Sequence, residues 1–165
     1  MILFNFFKNK KQVFTVSAPV NGLLTNLCDV DDPVFAQKLM GDGFAVALGE
    51  SAKLICSPIS AKVVSLPETK HALGLVSSEG DEILVHIGID TVNLKGKGFT
   101  ALVKENDIVK QGQPVIELDR ELLANEHASL ITMVIFTKLS SEHQNWNMIK
   151  SFGDQVTTQD VVVKQ

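Results

Sequence analysis

From Thr15 onward, short apolar runs alternate with turn residues at intervals of roughly 8 to 12 residues, the rhythm of an all-β sandwich or barrel. Phe44–Leu48, Ala61–Leu66, Glu82–Ile89 and Val115–Leu118 are rich in Val, Ile and Leu and predict strands. Helical periodicity is nearly absent. Short helices are expected over Pro33–Met40 and Ser141–Lys150, and one more turn over Arg120–Leu123 with Asp119 as its cap. Two loose internal echoes support a fold built from related hairpins. Ser17-Ala18-Pro19-Val20-Asn21-Gly22-Leu23-Leu24 resembles Cys56-Ser57-Pro58-Ile59-Ser60-Ala61-Lys62-Val63. Asp107-Ile108-Val109 with Pro114-Val115-Ile116 resembles Asp154-Gln155-Val156 with Val161-Val162-Val163. The expected fold class is all-β, an antiparallel β-sandwich with a few short helical turns, in one domain over residues 15–165 behind an N-terminal tail, 1–14.

The most informative hairpin runs from Glu68 to Val92. Its arms flank Ser78-Glu79-Gly80-Asp81, a turn signal with Gly able to supply positive φ. A turn centred between Glu79 and Gly80 places Val76 opposite Ile83, Leu73 opposite His86 and His71 opposite Gly88. Ala72, Gly74, Val76, Ile83, Val85 and Ile87 then share a core face. Thr69, His71, Leu73, Leu84, His86, Gly88, Asp90 and Val92 share the other. His71 and His86 become diagonal neighbours, with Cβ atoms ~7–8 Å apart or somewhat less. A slip of one residue would send the two histidines to opposite faces.

Composition narrows the chemistry. The 165 residues are 45% hydrophobic and 21% charged, with a net charge of −4. That balance suits a globular chain and excludes a nucleic-acid binder, because no basic stripe follows the first dozen residues. No apolar run approaches the ~18 residues of a membrane span. Cys28 and Cys56 have neither metal nor redox spacing and fit a reducing cytoplasm. Ile2, Leu3, Phe6 and Phe7 precede Lys8, Lys10 and Lys11 at helix-like spacing. That order is wrong for a secretory signal and right for an amphipathic segment touching the inner face of a membrane through residues 1–11. A frayed terminus accounts for it equally well.

Two histidines on one apolar face suit group transfer. Neutral imidazole is a good nucleophile near pH 7. A phosphoryl group on a ring nitrogen stays reactive, and its transfer depends mainly on positioning and charge stabilisation. His86, His71 and Thr69 fit the roles of acceptor, phosphoryl-oxygen donor and tautomer holder, with Asp90 placed to repel a misplaced phosphate or help the group leave. His127 and His143 read as surface residues. No nucleotide phosphate loop, serine-hydrolase elbow or zinc-protease motif occurs. Gly41-Asp42-Gly43 and Gly96-Lys97-Gly98 read as turns. No cofactor is required. Zinc at His71 and His86 would need a partner to complete it, since Asp90 is the one plausible third ligand. Two further readings stay open: a biotinyl- or lipoyl-type carrier, for which the Asp107–Ile116 hairpin offers no suitable lysine, and a binding or regulatory module that has lost transfer activity.

The run Glu82-Ile83-Leu84-Val85-His86-Ile87-Gly88-Ile89-Asp90-Thr91-Val92, with Leu94-Lys95-Gly96-Lys97-Gly98-Phe99, resembles the phosphorylation-site signature of glucose-type enzyme IIA of the bacterial phosphotransferase system. Asp32-Pro33-Val34-Phe35-Ala36-Gln37-Lys38, Met40-Gly41-Asp42-Gly43 and Glu68-Thr69-Lys70-His71-Ala72 are also similar, and the likeness spans Ser17 to Phe136. The resemblance implies a barrel-sandwich hybrid and a free-standing cytoplasmic phosphocarrier. His86 would accept a phosphoryl group from phospho-HPr and pass it to a cysteine of an enzyme IIB domain of a sugar permease. His71 would steady the phosphate and Thr69 would hold His71. Partners would dock on an apolar patch of Val34, Phe35, Leu39, Met40, Leu84 and Val92, and phosphorylation state would set contacts with regulatory targets.

Overall fold

Strands form where the apolar runs lie, and one of them carries the site. The computed structural model describes residues 13–165, so the amphipathic segment expected over residues 1–12 falls outside the described residues. In chain order the first strands are β1 (Thr15–Ser17), β2 (Gly22–Thr25), β3 (Asp42–Leu48), β4 (Leu54–Cys56) and β5 (Ala61–Ser65). Next come the hairpin strands β6 (Ala72–Val76) and β7 (Glu82–Ile89), followed by β8 (Phe99–Ala101), β9 (Ile108–Val109) and β10 (Pro114–Leu118). The last are β11 (Ser129–Lys138), β12 (Asn147–Met148), β13 (Gln155–Val156) and β14 (Val161–Lys164). An eight-stranded sheet runs β13-β2-β3-β11-β7-β6-β5-β9, and two three-stranded sheets run β1-β14-β12 and β4-β10-β8. All pairings are antiparallel. This is the expected all-β architecture.

The internal echoes have a structural counterpart. β1 pairs with β14 and β2 with β13, just as β4 pairs with β10 and β5 with β9. The two halves clasp through mirrored backbone bonds. Ser17 N–H donates to the Pro58 carbonyl (2.9 Å), and Cys56 N–H donates to the Pro19 carbonyl (2.7 Å). Their turns repeat as well: Lys104 N–H bonds the Asp107 carboxylate as Ser151 N–H bonds that of Asp154. These two backbone donors thus find their partners across the repeat.

The eight-stranded sheet is apolar on both faces. One face shares the main core, in which Phe44, Val46, Leu73, Leu75, Ile83, Val85, Ile87 and Val134 are buried. A smaller cluster of Leu27, Val30, Phe35, Ala45, Met133 and Ile135 covers part of the other. A 3-10 turn (Leu27–Asp29) and the short helix α1 (Pro33–Ala36) supply its lid. Helix α1 starts under the Asp32 cap with Pro at its first position, which suits a helix start. It stops sooner than the expected Pro33–Met40, because Lys38 adopts a left-handed conformation (φ 56°). Helix α2 (Arg120–Asn125) is capped by Asp119 as anticipated. Gly43, expected in a turn, lies within β3.

The β6–β7 hairpin departs from expectation by one residue. Ala72, not Leu73, lies opposite His86, and Leu73 lies opposite Val85. Leu73 and Leu75 therefore point into the core, whereas Gly74 and Val76 are half-buried on the other face. The cause is Asp81, which belongs to the loop and not to the strand. Ser77 N–H bonds the Asp81 carbonyl (2.9 Å), and Ser77 Oγ bonds the Asp81 carboxylate (2.7 Å), closing residues 77–81 as one loop.

Asp81 is 0% exposed. Its carboxylate also accepts from Ser140 N–H (2.9 Å) and from His143 Nδ1–H (2.7 Å). His143 is consequently buried and stacked on Phe14 (4.3 Å, 12°), not on the surface as its polar neighbours suggested. Phe14, assigned to the tail, belongs to the core. The helix expected over Ser141–Lys150 is absent; the segment runs as turns into β12, with Trp146 edge-on to Phe136 (4.8 Å). His127 is exposed as expected.

Burial pushes the Asp81 carboxyl up, but the hydrogen bonds from Ser77, Ser140 and His143 outweigh it and hold the group below its ordinary 3.8. A carboxyl depressed in the folded state contributes stability above its unfolded pKa and loses it as pH falls through the folded one. Replacing Asp81 by Ala leaves the Ser77, Ser140 and His143 donors without their acceptor and is expected to cost about 1–3 kcal/mol in urea unfolding at pH 7. The same variant should unfold with less dependence on pH below about 4 than the parent protein.

Candidate functional site

The site forms where β7 leaves the sheet. His86 projects from β7 onto the face that carries the small cluster, and the Phe35 ring of α1 lies against its imidazole (4.8 Å, 53°). Its Nδ1–H donates to the Gly88 carbonyl at 2.9 Å. A carbonyl only accepts, so this bond keeps the proton on Nδ1 and leaves Nε2 with its lone pair. Gly88 takes φ 80°, and a Cβ there would lie 2.4 Å from both the Ser129 carbonyl oxygen and Thr91 Cγ2. Only glycine permits this fold-back. The buried Thr91 hydroxyl donates to the Ile87 carbonyl and pins the strand exit.

His71 arrives by a different route from the one expected. With the register shifted, strand continuity would turn it away from His86. Instead β6 begins at Ala72, and the chain before it turns, with Lys70 N–H bonded to the Pro67 carbonyl and Lys70 left-handed at φ 52°. Ile87 N–H holds the His71 carbonyl at 2.7 Å. The two imidazoles meet edge to face with centroids 5.1 Å apart. Thr69 Oγ1 bonds His71 Nδ1 at 2.7 Å, as expected, so Nε2 is the ring nitrogen left free here too.

The site favours neutral imidazoles. Burial lowers the pKa of His71. Burial and the nearby His71 lower that of His86, against the Gly88 bond and the negative charges of Asp32 and Asp90. Asp90 itself is exposed and left-handed (φ 55°) and makes no side-chain cap bond to the 3-10 turn Thr91–Leu94. Among the described residues no group of three or more His, Cys, Asp or Glu is arranged to hold a metal ion. The pair of free Nε2 atoms alone does not complete a zinc site.

Of the apolar residues expected to surround the site, Val34, Leu39, Met40 and Val92 are exposed, Leu39 to 69%. Leu84 is half-buried against the small cluster. Phe35 is only 6% exposed and supports the imidazole. Sequence reasoning missed this role, as it missed the charge of Asp32 and the anchoring by Thr91. The signal for Gly88 was available, since a glycine two residues beyond a histidine in a strand invites a fold-back bond.

At pH 7 both imidazoles are expected to be largely neutral. Proton NMR titration should give midpoints for His71 and His86 below the ordinary 6.5. Phe35→Ala admits water to His86 and should move its midpoint back up toward that value.

The comparisons with known proteins converge on one family. Residues 14–142 match the model of phosphoenolpyruvate-dependent sugar phosphotransferase system, EIIA 1. The PTS system glucose-specific EIIA component of Staphylococcus epidermidis is 44% identical over 82% of this chain and 80% of its own length. That of Halalkalibacterium halodurans is 44% identical over 75% and 70%, respectively. The glucose permease IIA of Mycoplasma capricolum superposes with a TM-score of 0.82 at 34% identity, covering 99% of both chains. In the glucosamine-specific EIICBA component of Bacillus subtilis the matching region is 19% of a longer chain. With a matched model spanning most of its length, the chain belongs to the EIIA 1 family of the phosphoenolpyruvate-dependent sugar phosphotransferase system, whose members carry phosphoryl groups from HPr to an enzyme IIB domain during sugar uptake.

Proposed function

We propose that His86 Nε2 is the atom that accepts the phosphoryl group, and that the sugar permease it serves is of the glucose type. The observation that carries the assignment is the Nδ1–H bond to Gly88, which leaves Nε2 of a neutral ring as the available lone pair. Attack of that lone pair on the phosphorus of phospho-HPr forms the N–P bond as the donor's own N–P bond breaks. The proton stays on Nδ1, still donated to the Gly88 carbonyl, and the positive charge that develops on the ring is stabilised by that carbonyl and by Asp90. Attack by an enzyme IIB thiolate then reverses the step at His86 and restores the neutral ring.

His71 is the stabiliser in this reading. The Thr69 hydroxyl donates to its Nδ1, so Nε2–H faces the phosphoryl oxygens as a donor. Asp90 opposes the added negative charge and assists its departure. Val34, Leu39, Met40 and Val92, with the edge of Leu84, form the apolar rim on which HPr and enzyme IIB alternate. The transfer needs no metal, and zinc at the histidine pair would take its remaining ligands from a partner. On this reading the protein works in the cytoplasm, with residues 1–11 as a peripheral membrane contact. Its phosphorylation state also sets contacts with regulatory targets. Among the described residues no helix is long and apolar enough to cross a membrane.

Incubation with enzyme I, HPr and phosphoenolpyruvate should add one acid-labile phosphoryl group, read by intact mass spectrometry. His86→Ala should abolish it. His71→Ala should still take up phosphate but pass it to enzyme IIB about 10²–10³-fold more slowly, the loss typical of one transition-state donor. Normal labelling of the His86→Ala protein would overturn the assignment.

A further inference from the structure

The segment Ile87–Gly88 serves both imidazoles at once. Ile87 N–H donates to the His71 carbonyl (2.7 Å), and one residue further on the Gly88 carbonyl accepts from His86 Nδ1–H (2.9 Å). The Ile87 carbonyl lies in the chain between these two bonds. In a continued antiparallel ladder it would accept from the strand alongside, because facing residues exchange both bonds. Here β6 starts only at Ala72, after the left-handed turn at Lys70. The donor that reaches the Ile87 carbonyl is the Thr91 hydroxyl, from the 3-10 turn beyond β7.

Thr91 grips the same place in a second way. A Cβ built on Gly88 would fall 2.4 Å from Thr91 Cγ2 and 3.3 Å from its Oγ1, so the Thr91 side chain lies over the Gly88 Cα. Thr91 is 1% exposed and Ile87 0%, which leaves no room for water to replace the hydroxyl. Such a clamp is needed. Glycine populates many backbone conformations, so φ 80° at Gly88 permits the fold-back without enforcing it. An Ile87 carbonyl without a donor would be an unmet buried acceptor, and it regains a partner only by rotating. That rotation turns the adjoining glycine and swings its carbonyl off His86. We propose that Thr91 is a positioning residue, whose hydroxyl acts through the Ile87 carbonyl to hold the Gly88 carbonyl on His86 Nδ1–H and so fixes the tautomer of the ring. The proposal deepens, and rests on, the reading of His86 Nε2 as the phosphoryl acceptor.

The test compares Thr91→Val with Thr91→Ser in the full-length, ¹⁵N-histidine-labelled protein. Valine keeps the branched shape and removes the hydroxyl, whereas serine keeps the hydroxyl and removes the methyl. In unphosphorylated Thr91→Val the His86 Nδ1 proton should exchange with water about threefold to tenfold faster by NMR, the factor expected from one lost hydrogen bond. Single-turnover phosphoryl uptake from phospho-HPr should slow by a similar factor, because the charge that develops on the ring leans on the same carbonyl. Thr91→Ser should restore both rates, although it loses more packing. In the parent protein the Thr91 hydroxyl proton should itself be protected from exchange. A freely exchanging hydroxyl in the parent, or Nδ1 exchange in Thr91→Val as slow as in the parent, would overturn the proposal. So would equal exchange in Thr91→Ser and Thr91→Val, which would mean that Thr91 acts through packing alone. Faster Nδ1 exchange with unchanged phosphoryl uptake would leave the clamp standing and contradict Nε2 as the acceptor instead.

Discussion

The bond from His86 Nδ1–H to the Gly88 carbonyl is the constraint on which the rest of the site depends. An imidazole free to exchange tautomers would present a lone pair on Nε2 for only part of the time. Here the backbone two residues downstream decides the tautomer, and it does so without a titratable partner. The bond exists because Gly88 folds back at φ 80°, in a space that Ser129 and Thr91 close to any larger residue. Chemistry and packing meet in one glycine.

Around that bond the fold supplies a rigid floor and a dry environment. β7 sits between β6 and β11 inside an eight-stranded sheet, so neither neighbour is an edge. The main core fills one face, and the small cluster under α1 fills part of the other. Phe35, drawn into that cluster, brings its ring against His86 and excludes water from it. Burial then lowers both histidine pKa values, which favours two uncharged imidazoles side by side. Two positively charged rings 5.1 Å apart would repel each other, and the neutral pair avoids this.

Much of this was legible in the residues, for reasons that are physical. β7 coincides with the apolar run Glu82–Ile89 because its alternate residues face two apolar layers. The pseudo-repeat was readable because equivalent turns need equivalent residues, such as the paired Asp107 and Asp154. The hairpin register was not, since it hinges on whether Asp81 is the last loop residue or the first strand residue. That is decided by Ser140 and His143, some sixty residues away along the chain. His143 looked exposed for the same reason: its partner is remote. The one-residue slip should have separated the two histidines, but the left-handed turn at Lys70 releases His71 from strand parity and returns it to the site. The burial of Phe35 was not legible, because an aromatic on a short helix looks the same from the sequence whether it faces out or in.

The most direct test of the central claim is the position of the phosphorus atom. Heteronuclear NMR of the ¹⁵N-histidine-labelled, phosphorylated protein reports which ring nitrogen couples to ³¹P. The account predicts coupling to Nε2 of His86, with Nδ1 still protonated and bonded to the Gly88 carbonyl. Coupling to Nδ1 of His86, or to either nitrogen of His71, would contradict it.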